Sequence, residues 1–247
     1  MLATLPITFG VVLLKILIGQ GFHYEGLVHF SEIGMVITGG IFLIGFMLAG
    51  TLTDYKESEK IPADLAGTLE AIEDTLRLSH AYKGNFDLKE QLKKLNEVTE
   101  CIIRYFAHGA SEADVYKSIE QISSMAILAE NTDIGSTSSW IRREQATLRR
   151  FFTRATVIKR TYFIATGYAF LEVLTVVIIG LLLITKFENE VSGIIMVSFV
   201  SMIFIYMNRM IRDIDHPFEY PENQVNRAAD VDLFPLIEYD LRAKERL

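Results

Sequence analysis

Two ionisable residues, Lys15 and Glu172, lie inside long apolar stretches of the sequence. A charged side chain inside a membrane is costly and usually faces a partner or a water-filled space. The two residues fall at similar depths if the first helix begins near Leu2 and if Glu172 lies about 18 Å of helix rise beyond Arg160. These positions raise the hypothesis of an intramembrane Lys15–Glu172 contact. The alternative is that Lys15 extends to the outer face and that Glu172 is protonated or hydrogen-bonded.

Other residues with catalytic or metal-binding chemistry are scattered. His23 and His29 are six positions apart with Glu25 and Glu32 nearby, a spacing that allows a metal site, although polar histidines in a loop are commoner. The single cysteine, Cys101, excludes an internal disulfide framework and a multi-cysteine metal site. The sequence contains no nucleotide-binding, zinc-protease or nucleophile-elbow motif. We therefore expect neither an enzyme nor a cofactor, and the question of a bound metal stays open.

The composition is that of a membrane protein. Half of the 247 residues are hydrophobic and the mean hydropathy is +0.28. The apolar residues cluster in four runs of membrane-spanning or nearly spanning length, at about residues 2–18, 33–52, 162–185 and 191–211. The first run contains Lys15 and lacks the basic start and cleavage site of a secretory signal, so we interpret it as a retained helix. The net charge of −7 is dispersed and does not indicate nucleic-acid binding.

Basic residues predict the orientation. Seven lysines and arginines lie between Trp140 and Arg160, opposed only by Glu144. By contrast, the connection 20–31 has no lysine or arginine and the connection 186–190 has one. The positive-inside rule therefore places both short connections outside and both termini in the cytoplasm of a multi-pass protein, in a plasma membrane or a bacterial inner membrane.

The segment between the second and third runs predicts helices throughout. Pro62 suits a first helical turn, and apolar stripes at helical spacing follow it. Ser111 with Asp114 resembles a capping box, and no helix breaker occurs from Ser139 until Gly167, which predicts one helix running into the third span. We expect an all-α fold with four transmembrane helices. Its expected parts are transmembrane helices 1 and 2 in 1–55, a cytoplasmic helical domain in 56–160, transmembrane helices 3 and 4 in 161–212 and a cytoplasmic tail in 213–247.

Three residues of the second apolar run share one helical face. Thr38, Phe42 and Phe46 lie at i, i+4 and i+8. By themselves, two phenylalanines on one face are most simply explained by helix packing or lipid contact.

Two regions of the sequence contain motifs of a known family. The run Phe42-Leu-Ile-Gly-Phe46, continuing through Tyr55 to Pro62, is similar to the Phe-x-x-Gly-Phe motif in the second transmembrane helix of the bestrophins, in particular the bacterial type. Asp213-Ile-Asp-His-Pro-Phe218 and Asp232-Leu-Phe-Pro-Leu236 resemble their Asn-Pro-Phe-Gly and Asn-Asp-Leu-Pro-Leu segments. The plan of two spans, a helical part, two spans and a tail also matches.

The resemblance implies a homopentameric ion channel in a lipid bilayer. Bestrophin second spans line a narrow apolar neck, which here would comprise Thr38, Phe42 and Phe46. Such rings can gate by dewetting, and electropositive aromatic edges tolerate a passing anion such as chloride, so anions are favoured. Asp54 would lie at the inner pore mouth, where a ring of carboxylates would favour cations instead.

The sequence also departs from the family. The acidic run that forms the calcium clasp of animal members is replaced by the scattered residues Asp213, Asp215, Glu219 and Glu222. Calcium gating is therefore not expected to carry over. Two alternatives stay open: a cation channel of the same architecture, and a non-conducting scaffold or sensor whose cytoplasmic helices bind a partner.

Overall fold

The structure is a computed structural model that describes residues 4–21, 26–83, 86–130, 136–161, 165–220 and 229–247. Nine α-helices and two short strands occur among these residues. The helices are α1 (Leu5–Ile16, continued by π-helical Leu17–Gly21), α2 (Phe30–Ser58), α3 (Ile61–Lys83), α4 (Leu88–Phe106), α5 (Glu112–Glu130), α6 (Thr137–Arg160), α7 (Ala165–Ile184), α8 (Glu190–Ile214) and α9 (Phe234–Glu245). The strands are β1 (Val28–His29) and β2 (Thr185–Lys186). The predicted all-α class is confirmed apart from this one pair.

The chain forms two compact units. One comprises Met1–Thr53 and Tyr162–Asp215, and we call it the apolar unit. The other comprises Asp54–Thr161 and His216–Leu247, and we call it the polar unit. The boundary between Thr53 and Asp54 falls inside α2.

The apolar unit contains α1, most of α2, α7 and α8. Among the residues that the structure describes, three helical stretches are long and apolar enough to cross a membrane: the one that begins at Phe30, Gly167–Ile184 and Glu190–Ile214. A shorter apolar helix covers Leu5–Gly19, so a fourth span stays a prediction. The unit packs around buried aliphatic and aromatic side chains from α2, α7 and α8, among them Ile44, Leu171 and Phe204.

Strands β1 and β2 join the two connections that the sequence places outside. They pair in parallel, Val28 with Thr185 and His29 with Lys186. Just before β1, Gly26 has a φ of +92°, and a Cβ there would lie 2.6 Å from the Lys186 nitrogen. Only glycine fits this approach. A two-residue strand is too short to show alternation, so the sequence did not indicate it.

The polar unit is a packed group of amphipathic helices. The predicted stripe of α3 is confirmed, since Leu65, Leu69, Ile72 and Leu76 are fully buried. Pro62 lies in the first turn of α3 as predicted. The hydrophobic core of the polar unit also includes side chains from α4, α5, α6 and α9.

The prediction of one helix running from the cytoplasmic part into the third span is wrong. Helix α6 ends at Arg160, Thr161 is extended with φ −99° and ψ 94°, and α7 begins at Ala165. Thr161 is β-branched and therefore adopts an extended backbone readily although it is no helix breaker. Glu172 consequently lies about 10 Å of helix rise from the start of α7, rather than 18 Å into a continuous helix.

The start of α5 confirms the predicted capping box. The Ser111 hydroxyl accepts from the Asp114 nitrogen at 3.2 Å, and Asp114 Oδ2 accepts from the Ser111 nitrogen and hydroxyl at 2.9 and 2.6 Å. These bonds from Ser111 lower the pKa of the Asp114 carboxyl. Helix α5 therefore begins with its exposed donors satisfied.

We expect Ser111→Ala to lower the free energy of unfolding by about 1 kcal/mol, because it removes the cap of α5. Thermal denaturation of the purified protein in detergent measures the change. The control is Ser124→Ala, because Ser124 lies within α5 and its hydroxyl bonds the Gln121 carbonyl at 2.6 Å. A loss from Ser124→Ala as large as that from Ser111→Ala would contradict the capping role.

Candidate pore-lining helix and its polar neighbours

The exposed face of α2 is centred on two phenylalanines. Phe42 and Phe46 are 73% and 72% exposed, and Met35 and Thr38 on the same side of the helix are also exposed. The Thr38 hydroxyl donates to the Gly34 carbonyl at 2.9 Å. Thus the three residues predicted to form a neck share an exposed face in this chain. The Thr38 hydroxyl group makes its hydrogen bond within α2.

The opposite face of α2 is fixed by a close contact. A Cβ on Gly40 would lie 2.7 Å from Ile178 Cδ1 on α7 and 2.9 Å from Phe204 Cζ on α8. Ile37 and Ile44 on this side are buried. The backbone of α2 therefore packs directly on its neighbours, which leaves the phenylalanine face outward.

Glycines flank the phenylalanine face on both sides. At 100° per residue, Gly39 and Gly45 lie about 60° to either side of Phe42 around the helix. A Cβ built on either glycine meets no described atom within 4 Å. Another helix can approach closely on each flank.

Asp54, in the polar unit, belongs to a charged cluster. Arg154 bonds Glu57 in a two-pronged contact, Nε to Oε1 at 2.7 Å and Nη2 to Oε2 at 2.5 Å. The same Nη2 lies 3.5 Å from Asp54 Oδ1. The hydrogen bonds from Arg154 lower the pKa of the Glu57 carboxyl and, in turn, raise the pKa of Arg154. Two carboxylates thus share one guanidinium, and Asp54 remains 66% exposed in its side chain.

The predicted Lys15–Glu172 contact is wrong. Lys15 Nζ donates instead to the carbonyls of Leu182, Leu183 and Thr185, at 3.3, 2.9 and 2.8 Å. Leu182 and Leu183 lie in the last turn of α7 and Thr185 follows it directly, where backbone acceptors lack helical partners and the helix dipole favours a cation. Leu182 is ten residues beyond Glu172, about 15 Å along α7, so the lysine is far from the carboxylate. This position agrees with the alternative of a lysine that extends away from mid-membrane.

Glu172 pairs with Arg212, on α8. One turn earlier on α7, the Tyr168 hydroxyl donates to Asp215 at 2.5 Å, and the Arg212 guanidinium lies 5.8 Å from the Tyr168 ring centre. The four side chains join the beginning of α7 to the end of α8. Glu172 therefore has a structural partner. Because it lies only two turns into α7, it is close to Arg212 in the last turn of α8.

The family-like segments contribute packing and capping. Phe218 is 1% exposed, and its ring lies 5.2 Å from that of Phe106. Asp232 Oδ1 accepts from the Phe234 nitrogen at 2.9 Å at the start of α9, and Pro235 occupies the first turn. The first segment therefore packs on α4, and the second begins α9.

Some of the residues considered for a metal site lie outside the described residues. His23, Glu25 and Glu222 are not among the described residues. Within the residues that the structure does describe, no three His, Cys, Asp or Glu side chains gather as a metal site would require. The structure therefore adds no support for a metal at His29 or Glu32.

Sequence reasoning missed the roles of Arg154 and Arg212. Arg154 is among the basic residues that predict the orientation, and Arg212 directly follows the fourth apolar run. Arg154 lies 97 positions from Glu57, and Arg212 lies 40 positions from Glu172. No local sequence pattern could therefore pair these residues. One indication of the second pair was present in the sequence: Glu172 lies inside an apolar run and needs a partner, and Arg212 directly follows another apolar run.

Helices of membrane-spanning length beside a unit of packed amphipathic helices define a multi-pass α-helical membrane protein. No family model matches the chain, and no curated protein matches its sequence. Solved structures do match. A point variant of a bacterial bestrophin homologue from Klebsiella pneumoniae has a TM-score of 0.74 at 12% identity, covering 98% of each chain.

Other solved structures give the same result. Another crystal structure of the Klebsiella pneumoniae homologue has a TM-score of 0.73 at 12% identity over 96% of each chain. A crystal structure described only as a membrane protein has a TM-score of 0.76 at 12% identity, covering 99% of this chain and 98% of that one. The chain therefore has the fold of bacterial bestrophin homologues, which confirms the resemblance at the level of the fold.

We expect Glu172→Gln and Arg212→Gln to be non-additive in a double-mutant cycle, with a coupling of about 0.2–1 kcal/mol, because both side chains are half-exposed in this chain. Unfolding in detergent micelles measures it. The matched cycle combines Lys15→Met with Glu172→Gln and should be additive. Coupling in the second cycle and none in the first would restore the rejected pairing.

Proposed function

We propose that this protein is a homo-oligomeric ion channel in which α2 lines an apolar neck formed by Thr38, Phe42 and Phe46. The observation that carries the proposal is the open phenylalanine face of α2, set opposite a tightly packed back. The fold shared with bacterial bestrophin homologues supports it.

The residues around the phenylalanines favour a pore over lipid contact. On α7 the exposed side chains Phe170, Val173, Val176 and Val177 are all large and apolar, as a lipid-facing surface requires. On α2, by contrast, the phenylalanines stand among Thr38, Gly39 and other small residues. Small residues suit close helix contact, and a threonine suits water.

The glycine flanks also fit a ring of α2 helices. In a closed ring of five copies each helix meets its neighbours about 54° to either side of the lumen direction. The flanks at Gly39 and Gly45 lie about 60° to either side of Phe42. A pentamer accordingly places Phe42 towards the axis and a glycine towards each neighbour. Phenylalanine rings one helical turn apart stand about 6 Å apart along the axis, a spacing that supports gating by dewetting.

We further propose that the channel prefers anions such as chloride and that both termini are cytoplasmic. Edge-on phenylalanines present positive ring edges to a passing ion. The basic residues of α6 favour a cytoplasmic polar unit.

A cation channel is the second candidate, because Asp54, Glu57 and Arg154 together carry a net negative charge and the Asp54 side chain is largely exposed. Five such clusters at an inner mouth would attract cations.

We expect Phe42→Ala combined with Phe46→Ala to raise ion flux several-fold, because a wider and less apolar neck holds water more readily. Flux into liposomes containing the purified protein is the measurement. Phe170→Ala is the control, since Phe170 on α7 is also exposed but lies outside the proposed neck. If neither the wild type nor the double variant passed ions, the non-conducting scaffold would be the better account.

We expect Asp54→Asn to shift the reversal potential towards greater anion preference in a salt gradient, because it removes one carboxylate from each inner-mouth cluster. Planar-bilayer recording measures the shift. Glu97→Gln on the exposed side of α4 makes the same change of charge and should leave the reversal potential unchanged. Equal shifts for the two variants would remove Asp54 from the pore.

A further inference from the structure

The polar unit contains a cavity of about 340 Å³ that the channel proposal does not use. Arg77 and His80 from α3 form one wall, the first turn of α4 forms another, and Arg246 lies at the end of α9. All of these elements belong to the same unit.

Three of the side chains that line the cavity are basic. Arg77, Lys89 and Arg246 line it, and Lys89 forms no ion pair with any described residue. The buried Glu73 holds both arginines, at 2.8 Å from Arg77 and 3.4 Å from Arg246. Asp87 is the acidic lining residue, and its carboxylate already accepts the Glu90 nitrogen at 3.1 Å as the cap of α4. Arg246 also lies 4.0 Å from Glu70, so Lys89 is the lining cation that no described carboxylate pairs.

One polar atom at the cavity, His80 Nδ1, is buried without a hydrogen bond to the described part of the chain. Arg77 Nη2 is also buried, but it lies 2.8 Å from Glu73 Oε1 in an ion pair. The His80 ring is positioned by Phe86, whose ring centre lies 5.4 Å away in an edge contact. Buried polar groups are normally satisfied, so His80 Nδ1 indicates a missing partner.

The first turn of α4 adds further donors. The helix has 19 residues, and its initial N–H groups at Leu88 and Lys89 have no helical acceptor. Its dipole also favours an anion at this end. The remaining lining is apolar and comes from Leu88, Leu92 and Leu247. A ligand that fits both parts has an anionic head and an apolar body.

We propose that this cavity binds a small organic anion, a carboxylate or phosphate group joined to a short apolar body. The head lies among Lys89, Arg77, His80 and the start of α4, and the body lies on the leucines. The site is independent of ion conduction.

Hexanoate tests the proposal on the full-length protein in detergent, with thermal stability followed at constant ionic strength. We expect saturable stabilisation by hexanoate and none by hexanamide, its uncharged counterpart. Inorganic phosphate tests the head alone and should bind more weakly than hexanoate. No saturable effect of hexanoate, or an equal effect of hexanamide, would overturn the proposal.

Matched variants locate the binding. Lys89→Gln should weaken the apparent affinity for hexanoate about three- to tenfold, because it removes a charge-assisted contact. Lys93→Gln makes the same change one turn along α4, outside the cavity lining, and should have no effect. Equal affinities in Lys89→Gln and Lys93→Gln would place hexanoate elsewhere and overturn the assignment.

Discussion

The contact of Gly40 with Ile178 and Phe204 is the constraint on which the arrangement of α2 depends. A helix is rigid on the scale of one turn, so the side that packs also decides the side that stays open. Gly40 lies about 160° around the helix from Phe42. The open phenylalanine face thus follows from a backbone contact on the other side, and the residue that positions the phenylalanines has no side chain of its own.

The fold was predictable where the evidence is local. The stripe of α3 and the capping box of α5 depend on residues at most four positions apart, and both occur as expected. The end of α6 was not predictable, because Thr161 is no helix breaker and becomes extended at the boundary between units. That single break also displaced the expected depth of Glu172, so the wrong partner was assigned to it. The shared face of Thr38, Phe42 and Phe46 was predictable from spacing, whereas its openness required the packing of three helices.

Basic residues near the membrane have more than one role in this chain. Arg154 is held by Glu57, Arg212 is held by Glu172, and Lys15 is held by backbone carbonyls. The positive-inside rule counts such residues equally. However, an arginine in a close ion pair contributes much less to the long-range field than an unpaired one. The electrostatic potential at an inner pore mouth therefore depends on the charges that are not neutralised by an ion pair. Around Arg154 the net charge is negative, because two carboxylates face one guanidinium.

The three carbonyl contacts of Lys15 bear on how this architecture can diverge. Every residue type supplies a backbone carbonyl, so the three acceptors do not depend on which side chains stand at positions 182, 183 and 185. The side chain that Lys15 meets is Phe187, whose ring centre lies 5.1 Å from Nζ. Among homologues the three carbonyl bonds would leave no covarying pair of their own, although they join segments about 170 positions apart.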